Sequence, residues 1–374
     1  MMFPRLPVIA GQLLPYLLSL PGIVSAQESA SDSTCPAEGC SSDAQGARKL
    51  SSRLHPDYMR LVKEYPFQPV INQNGKYVNI ILVRSPFRSP AHQRLHDKYK
   101  HEILFLGICS FEDYPLPPDN PYSMKFPADT YVGMFPGFLH MFREPETIFP
   151  PHVKLLLMSQ SDFALPQPIR VPASKTYDFT FSGSDQDVAN DCVGWSSFAK
   201  NWTFVKTALK VMCREYNMTG VLVATKDKQN RSACRIPKSC KGKILQTPFL
   251  PQDQYFEYLV QGRFAFLPQI HDASPRVTTQ ALIHGVPLLM NKNIRGGWKY
   301  LNEQTGEFFN DMSDFRDSLE RIMKRQHEYT PREWVTKHYG DANSGARFKE
   351  FITTHFSGEV KLPKGTRLLF PTGA

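Results

Sequence analysis

The sequence predicts an α/β protein built as two Rossmann-like halves, each a doubly wound sheet. Short apolar runs such as YVNIILV (77–83), YDFTFS (177–182) and VLVAT (221–225) alternate with stretches of helical periodicity. The run ALPQPIRVP (164–172) has three prolines in nine residues and reads as a linker between the halves. A chain of 374 residues, 41% hydrophobic and 12% aromatic, has the length and apolar content for two domains with cores of their own.

The most informative stretch is 261–309, QGRFAFLPQIHDASPRVTTQALIHGVPLLMNKNIRGGWKYLNEQTGEFF. An apolar strand is expected over 264–267, a polar loop over 268–274 and a helix over 275–283. Ser274 suits the N-cap, and Pro275 suits the first helical position, where its missing N–H costs nothing. Gly285 stops the helix and 286–290 forms a second buried strand. Such a strand–loop–helix–strand turn aims a helix N-terminus at whatever lies above the strand ends, which favours phosphate. Arg276 adds a fork of donors suited to a diphosphate.

The order F-x-F-L-P, acidic residue, S-P-R, helix, A-x-x-x-G-x-P-L resembles the donor half of GT-B glycosyltransferases, most of all the group 1 enzymes and the exostosins. The resemblance covers 177–324 and reaches the first half only through the order of elements. It implies a GT-B architecture, two Rossmann-like domains facing a cleft, with a nucleotide-sugar donor. The group 1 pattern has two glutamates eight residues apart; Asp272 and Gln280 stand at that spacing here. The resemblance thus implies that Asp272, as a catalytic residue, meets the donor sugar, and that Gln280 holds the ribose without a charge. It also implies a G-R and a K-G near the start of the second domain. Gly183 matches, Ser184 stands for the arginine as a hydroxyl donor, and Lys200 before Asn201 stands for the lysine. Lys200 and Arg276 would neutralise the diphosphate, with Ser274 nearby, and the loop Asn291 to Trp298 (NKNIRGGW) would line the nucleotide pocket.

The first half is expected over 56–165, starting with a short helix (56–64). The strand 77–83 enters the loop RSPFRSP, where Arg84 and Arg88 meet an acceptor, the donor phosphates, or only solvent. A polar helix (91–101), a strand (103–109), a Pro-rich irregular run (110–129) and a strand (153–158) follow. His140 and Asp162 are the titratable residues of this half expected nearest the cleft, His140 as a catalytic group or as a packing residue.

The second half is expected over 166–340, with a strand (177–182), an insertion through Asp191, Cys192 and Trp195, and a helix (201–216). Phe204, Val205, Ala208, Leu209 and Met212 lie at helical spacing on one face of that helix. A basic, cysteine-bearing excursion (226–243) and a helix (249–260) lead into the central stretch. Thr305-Gly306-Glu307 resembles the turn that precedes the last helix of the group 1 enzymes, and a helix is expected over 313–325. Within 341–374 a last helix (345–355) is expected to cross back onto the first half, as the resemblance implies, and 361–374 reads as irregular.

Residues 1–26 read as a secretory signal, or as an uncleaved membrane anchor, and 27–55 as a flexible stem. This points to the ER or Golgi lumen or to secretion, with membrane contact only through that segment. Seven cysteines fit such a route; Cys35–Cys40, Cys234–Cys240 and Cys192–Cys213 are candidate pairs, and Cys109 reads as a buried thiol. Sequons begin at Asn201, Asn217 and Asn230, the first beside Lys200, where a glycan would obstruct a donor. A net charge of +9 without a basic tract suits anionic nucleotides or a solvated basic surface and gives nucleic-acid binding weak support.

The expected activity is transfer of a sugar from a nucleotide-sugar to a glycan or glycoprotein acceptor, with retention of configuration and without metal. No cofactor is expected, since the donor is a substrate. Asp185-Gln186-Asp187 spells D-x-D but lies in an insertion. The rival is a non-catalytic secreted protein of the same descent, to which Gln280, Ser184 and Asp272 point as replacements. A dinucleotide oxidoreductase or a kinase would need a G-x-G-x-x-G or a P-loop, and neither follows any strand.

Overall fold

Apolar runs bounded by prolines, glycines and polar turns fold into two six-stranded sheets, each with its own core. The computed structural model describes residues 53–87, 89–109, 128–167, 169–229 and 231–370. All lie within one compact unit, Ala47–Ala374. The expected signal, the stem up to residue 52, Arg88, the run 110–127 and the sequon asparagine Asn230 lie outside the described residues, as do Cys35 and Cys40.

The first half contains α1 (Tyr58–Leu61), β1 (Phe67–Asn72), β2 (Tyr77–Val83), α2 (Pro90–Tyr99), β3 (Leu104–Ile108), α3 (Ala128–Gly133), β4 (Gly137–His140) and β5 (Lys154–Leu157). From Asn79 to Val83, β2 is buried without a break, as a parallel strand covered on both faces must be. Ser89 caps α2, its Oγ accepting the His92 N–H at 3.4 Å, with Pro90 in the first turn.

The second half contains β6 (Tyr177–Ser182), α4 (Trp195–Ala199), α5 (Trp202–Arg214), β7 (Gly220–Val223), β8 (Ile244–Gln246), α6 (Gln252–Leu259) and β9 (Gly262–Leu267). It continues with α7 (Arg276–Ile283), β10 (Leu288–Asn291), β11 (Gly306–Phe309), α8 (Phe315–Lys324) and α9 (Pro331–His338). Then α10 (Gly340–His355) and β12 (Leu368–Leu369) return to the first sheet.

The first sheet runs β12-β1-β2-β3-β4-β5, with β1 antiparallel to both neighbours and β2 to β5 parallel. The second runs β11-β10-β9-β6-β7-β8, all parallel. Its chain order moves outward from β6 to β8, then restarts beside β6 with β9 and moves the other way. The β6/β9 boundary is therefore a topological switch point, where a crevice opens beyond the strand ends.

Three expectations fail here for physical reasons. Residues 368–369 are a strand, not part of an irregular tail, because β1 offers an edge that pairs Ile71 with Leu369. Of Thr305-Gly306-Glu307 only Thr305 ends a turn; Gly306 and Glu307 already belong to β11, which pairs in register with β10. The disulfides are Cys192–Cys234 and Cys213–Cys240, not the expected pairings. The excursion folds back so that Cys234 reaches the insertion after β6 and Cys240 reaches the last turn of α5, and nearness in sequence says nothing of this.

On α10, Phe348, Phe351 and Ile352 share a core with Leu104, Leu106 and Leu139 of the first sheet. Among the described residues, no helix is long and apolar enough to cross a membrane.

Candidate functional site

At the switch point of the second sheet lies a cavity of about 580 Å³. Its floor is the end of β6 (Ser182 to Ser184) and the end of β7 (Val223, Ala224). Its walls are the loop after β9 (His271, Asp272, Ser274), the first turns of α7 (Arg276, Val277, Gln280), the insertion (Gln186, Trp195, Ser196) and α6 with the loop before it (Phe249, Leu250, Tyr255). Gly183 fits this floor because it has no side chain: a Cβ would lie 3.0 Å from Thr225 Cγ2 and 3.2 Å from the Ala224 carbonyl oxygen. Ala224 itself takes φ 57°, a left-handed conformation unusual for a non-glycine residue.

The polar groups converge on one side. Lys200 Nζ donates to Asp272 Oδ2 at 3.0 Å, and Asp272 Oδ1 accepts the Ser274 N–H at 3.2 Å. Asp272 is only 6% exposed. Arg276 is exposed in the first turn of α7, with Gln280 one turn further along the same cavity wall. Backbone dipoles of an eight-residue helix put partial positive charge at that end. From the first half, Arg84 comes close enough for Arg276 to lower its pKa, although burial is the larger cause. Ser184 Oγ accepts the Gln186 N–H at 3.4 Å and so starts the turn into the insertion.

The loop carrying Asp272 is braced from behind. Ala273 is fully buried in the core of the first half. Gly296 donates its N–H to the Asp272 carbonyl at 2.9 Å, and a Cβ there would lie 2.0 Å from the Ala273 oxygen. Gly297, at φ 79°, packs where a Cβ would lie 2.4 Å from Pro275 Cγ. The glycines of the NKNIRGGW loop thus serve a close backbone approach. Asn291 and Trp298, expected in the nucleotide pocket, are not among the cavity's walls. Asn291 is buried and its Oδ1 accepts the Asn293 N–H at 2.8 Å, which shapes the turn. Trp298 reaches the first half, its Nε1 donating to the Met141 carbonyl at 2.8 Å under the Arg143 guanidinium, 4.6 Å from the ring centre.

Ser274 lines the cavity but is not the cap of α7; Pro275 holds that position. Its Oγ instead lies 3.0 Å from Ser161 Oγ in the first half, which draws it away from the helix amides. His140 is also away from the cavity. It ends β4, 6% exposed, and burial followed by the Lys299 charge lowers its pKa to about 4. Asp162 is fully buried, accepting from Lys299 Nζ at 2.8 Å and from the Tyr300 hydroxyl, with Arg347 at 3.6 Å.

No family model matches the chain, and no curated protein matches it. Among solved structures, the chain is similar to a sucrose-phosphate synthase from Thermosynechococcus elongatus, with a TM-score of 0.51 at 11% identity over 71% of this chain and 70% of that one. The chain has the GT-B fold. Weaker likenesses are to the lipopolysaccharide outer core galactosyltransferase WaaB (TM-score 0.48, 11% identity, 74% of this chain and 75% of that one) and to TarM (0.48, 10%, 67% and 50%). At such identities the likeness is one of fold.

Within this GT-B fold the sequence reading missed much of the cavity. Gln186, Trp195, His271, Phe249 and Tyr255 all line it. For Trp195 a signal existed: a tryptophan next to Gly194 in a polar insertion that directly follows a strand end. For Phe249, 62% exposed, and for Tyr255, helical periodicity alone gave no hint. The D-x-D spelling is also explained, since Asp187 Oδ2 accepts the Ser197 N–H at 2.7 Å and so caps α4. Of the sequons, Asn217 is exposed, whereas Asn201 is half-buried and its Nδ2 donates to the Pro268 carbonyl at 2.9 Å.

Proposed function

We propose that this protein is a glycosyltransferase that moves a sugar from a nucleotide-sugar donor to a glycan or glycoprotein acceptor in the secretory pathway. The observation that carries this reading is the convergence of Lys200, Arg276 and the α7 N-terminus on one cavity at the switch point of a GT-B fold. A departing nucleoside diphosphate accumulates negative charge, and fixed cations with a helix end stabilise it without reorganisation. In this reading the protein's own cations carry the charge stabilisation, so transfer is metal-independent, and it proceeds with retention. Asp272 keeps Lys200 aimed at the diphosphate, and Gln280 holds the ribose by hydrogen bonds.

A second reading has one observation in its favour. The Asp272 carboxylate is already engaged by Lys200 and by the Ser274 amide, which suits a binding protein without turnover. The two readings separate on release of UDP, GDP or CMP from the corresponding nucleotide-sugars with glycan acceptors. Turnover by the wild type, abolished in Lys200→Ala and Arg276→Ala, is expected; product anomers read by NMR give the stereochemistry. Tight nucleotide binding with no turnover on any acceptor would favour the second reading.

A further inference from the structure

The insertion between β6 and α5 carries a 3-10 helix (Asp185–Asn190) and α4, held together by cross-links. Its two halves are tied to each other, Asp187 capping α4 at Ser197 and Gln186 Oε1 accepting from Ser196 Oγ at 2.5 Å. Gly194 lets the chain pass that carboxylate, since a Cβ there would lie 2.2 Å from Asp187 Oδ1. The Cys192–Cys234 disulfide fastens it to the excursion after β7, where Asp191 also accepts the Arg235 N–H at 2.7 Å and pairs with its guanidinium at 3.1 Å. Asp191, Cys192 and Asn201 all take left-handed φ, at 57°, 58° and 54°. Non-glycine residues hold such conformations only where surroundings over-determine them, and they cluster at binding sites.

All this order fixes one wall of the cavity, from which Trp195, Ser196 and Gln186 face inward. Trp195 stands 6.4 Å from the His271 ring, which in turn stacks on Phe198 at 4.8 Å. His271 follows β9, so this aromatic corner lies on the β9 side of the cavity. The apolar corner of Val223, Ala224, Phe249, Leu250 and Tyr255 lies on the β7/β8 side, and the cations stand by the loop after β9 and α7. A flat hydrophobic base suits the β7/β8 corner. The C–H face of a sugar ring suits an aromatic face rimmed by an amide and a hydroxyl.

We propose that the insertion 184–200 is a preorganised shelf for the sugar of the donor, with Trp195 as its stacking face and Gln186, Ser196 and His271 at its rim. This rests on the nucleotide-sugar reading and adds to it the residues that distinguish a sugar conjugate from the free nucleotide.

The test is titration calorimetry on the full chain with UDP and UDP-glucose, and with GDP and GDP-mannose. For the base that binds, Trp195→Ala is expected to weaken the sugar conjugate about tenfold more than the free nucleotide. Trp195→Phe, which keeps an aromatic face, restores most of the difference. Trp195→Leu, which keeps bulk without a ring, does not restore it and guards against a mere packing effect. Equal losses for conjugate and nucleotide, or no loss, would overturn the shelf and leave nucleotide binding standing. Failure of the wild type to bind any of the four ligands, and CMP as well, would overturn both.

Discussion

The Lys200 ammonium and the Asp272 carboxylate meet at 3.0 Å at the cavity wall, joining the chain just before α5 to the loop after β9. Asp272 is the more enclosed partner, so the pair holds Lys200 at one point instead of leaving it to sample solvent. Asp272→Asn keeps the shape and one acceptor but removes the charge, and is expected to weaken nucleotide binding severalfold with little loss of stability. Lys200→Ala strands a buried carboxylate and is expected to cost about 1–3 kcal/mol, read by chemical denaturation. A Lys200→Ala protein as stable as the wild type would mean that the carboxylate finds another partner.

The contact of Trp298 and Arg143 across the two halves makes a separate prediction. Trp298→Ala removes an indole N–H bond to Met141, an aromatic face under Arg143 and part of the support behind Asp272. A loss of about 2–4 kcal/mol is expected, together with weaker nucleotide binding, although Trp298 is not in the cavity wall. Trp298→Phe retains the packing and loses mainly the hydrogen bond, about 1 kcal/mol.

His140 predicts a pH dependence of stability. Its folded pKa of about 4 lies below the ordinary value of 6.5, because burial and the nearby Lys299 both disfavour the charged ring. Between those values the unfolded chain binds the proton and the folded one does not, so stability falls as pH drops from 6.5 towards 4 and is level above 6.5. The full effect is about 3 kcal/mol. Melting curves at pH 7 and pH 4.5 check it: His140→Gln should flatten the difference, and an unchanged slope would show that other groups set it.

The polar side of the cavity was legible in the sequence because its residues sit where local rules apply. Gly183 and Ser184 directly follow a strand, Arg276 and Gln280 share one helix face, and Lys200 precedes a helix start. Legibility stopped where one half touches the other. Ser274 satisfies the sequence rule for a cap, yet Ser161, from the far side of the linker, takes its hydroxyl. Trp298 and Asn291 lie at a strand end, where ligands bind in doubly wound sheets, yet the glycines between them let that loop press against Ala273. The β1 strand was hidden because Pro69 interrupts its pattern, at a shift in the register with β2. Its two-residue partner β12 is too short to show any period.

The central claim is that this cavity holds a nucleotide through Arg276. The most direct measurement is the melting temperature of the full chain with UDP, GDP and CMP, for the wild type and for Arg276→Ala. A ligand that binds only the folded protein, at a hundredfold excess over its Kd, should raise the melting point by about 5 °C. The account predicts such a shift for one of the three nucleotides in the wild type and its loss in Arg276→Ala. No shift with any nucleotide, or an equal shift in the variant, would contradict it.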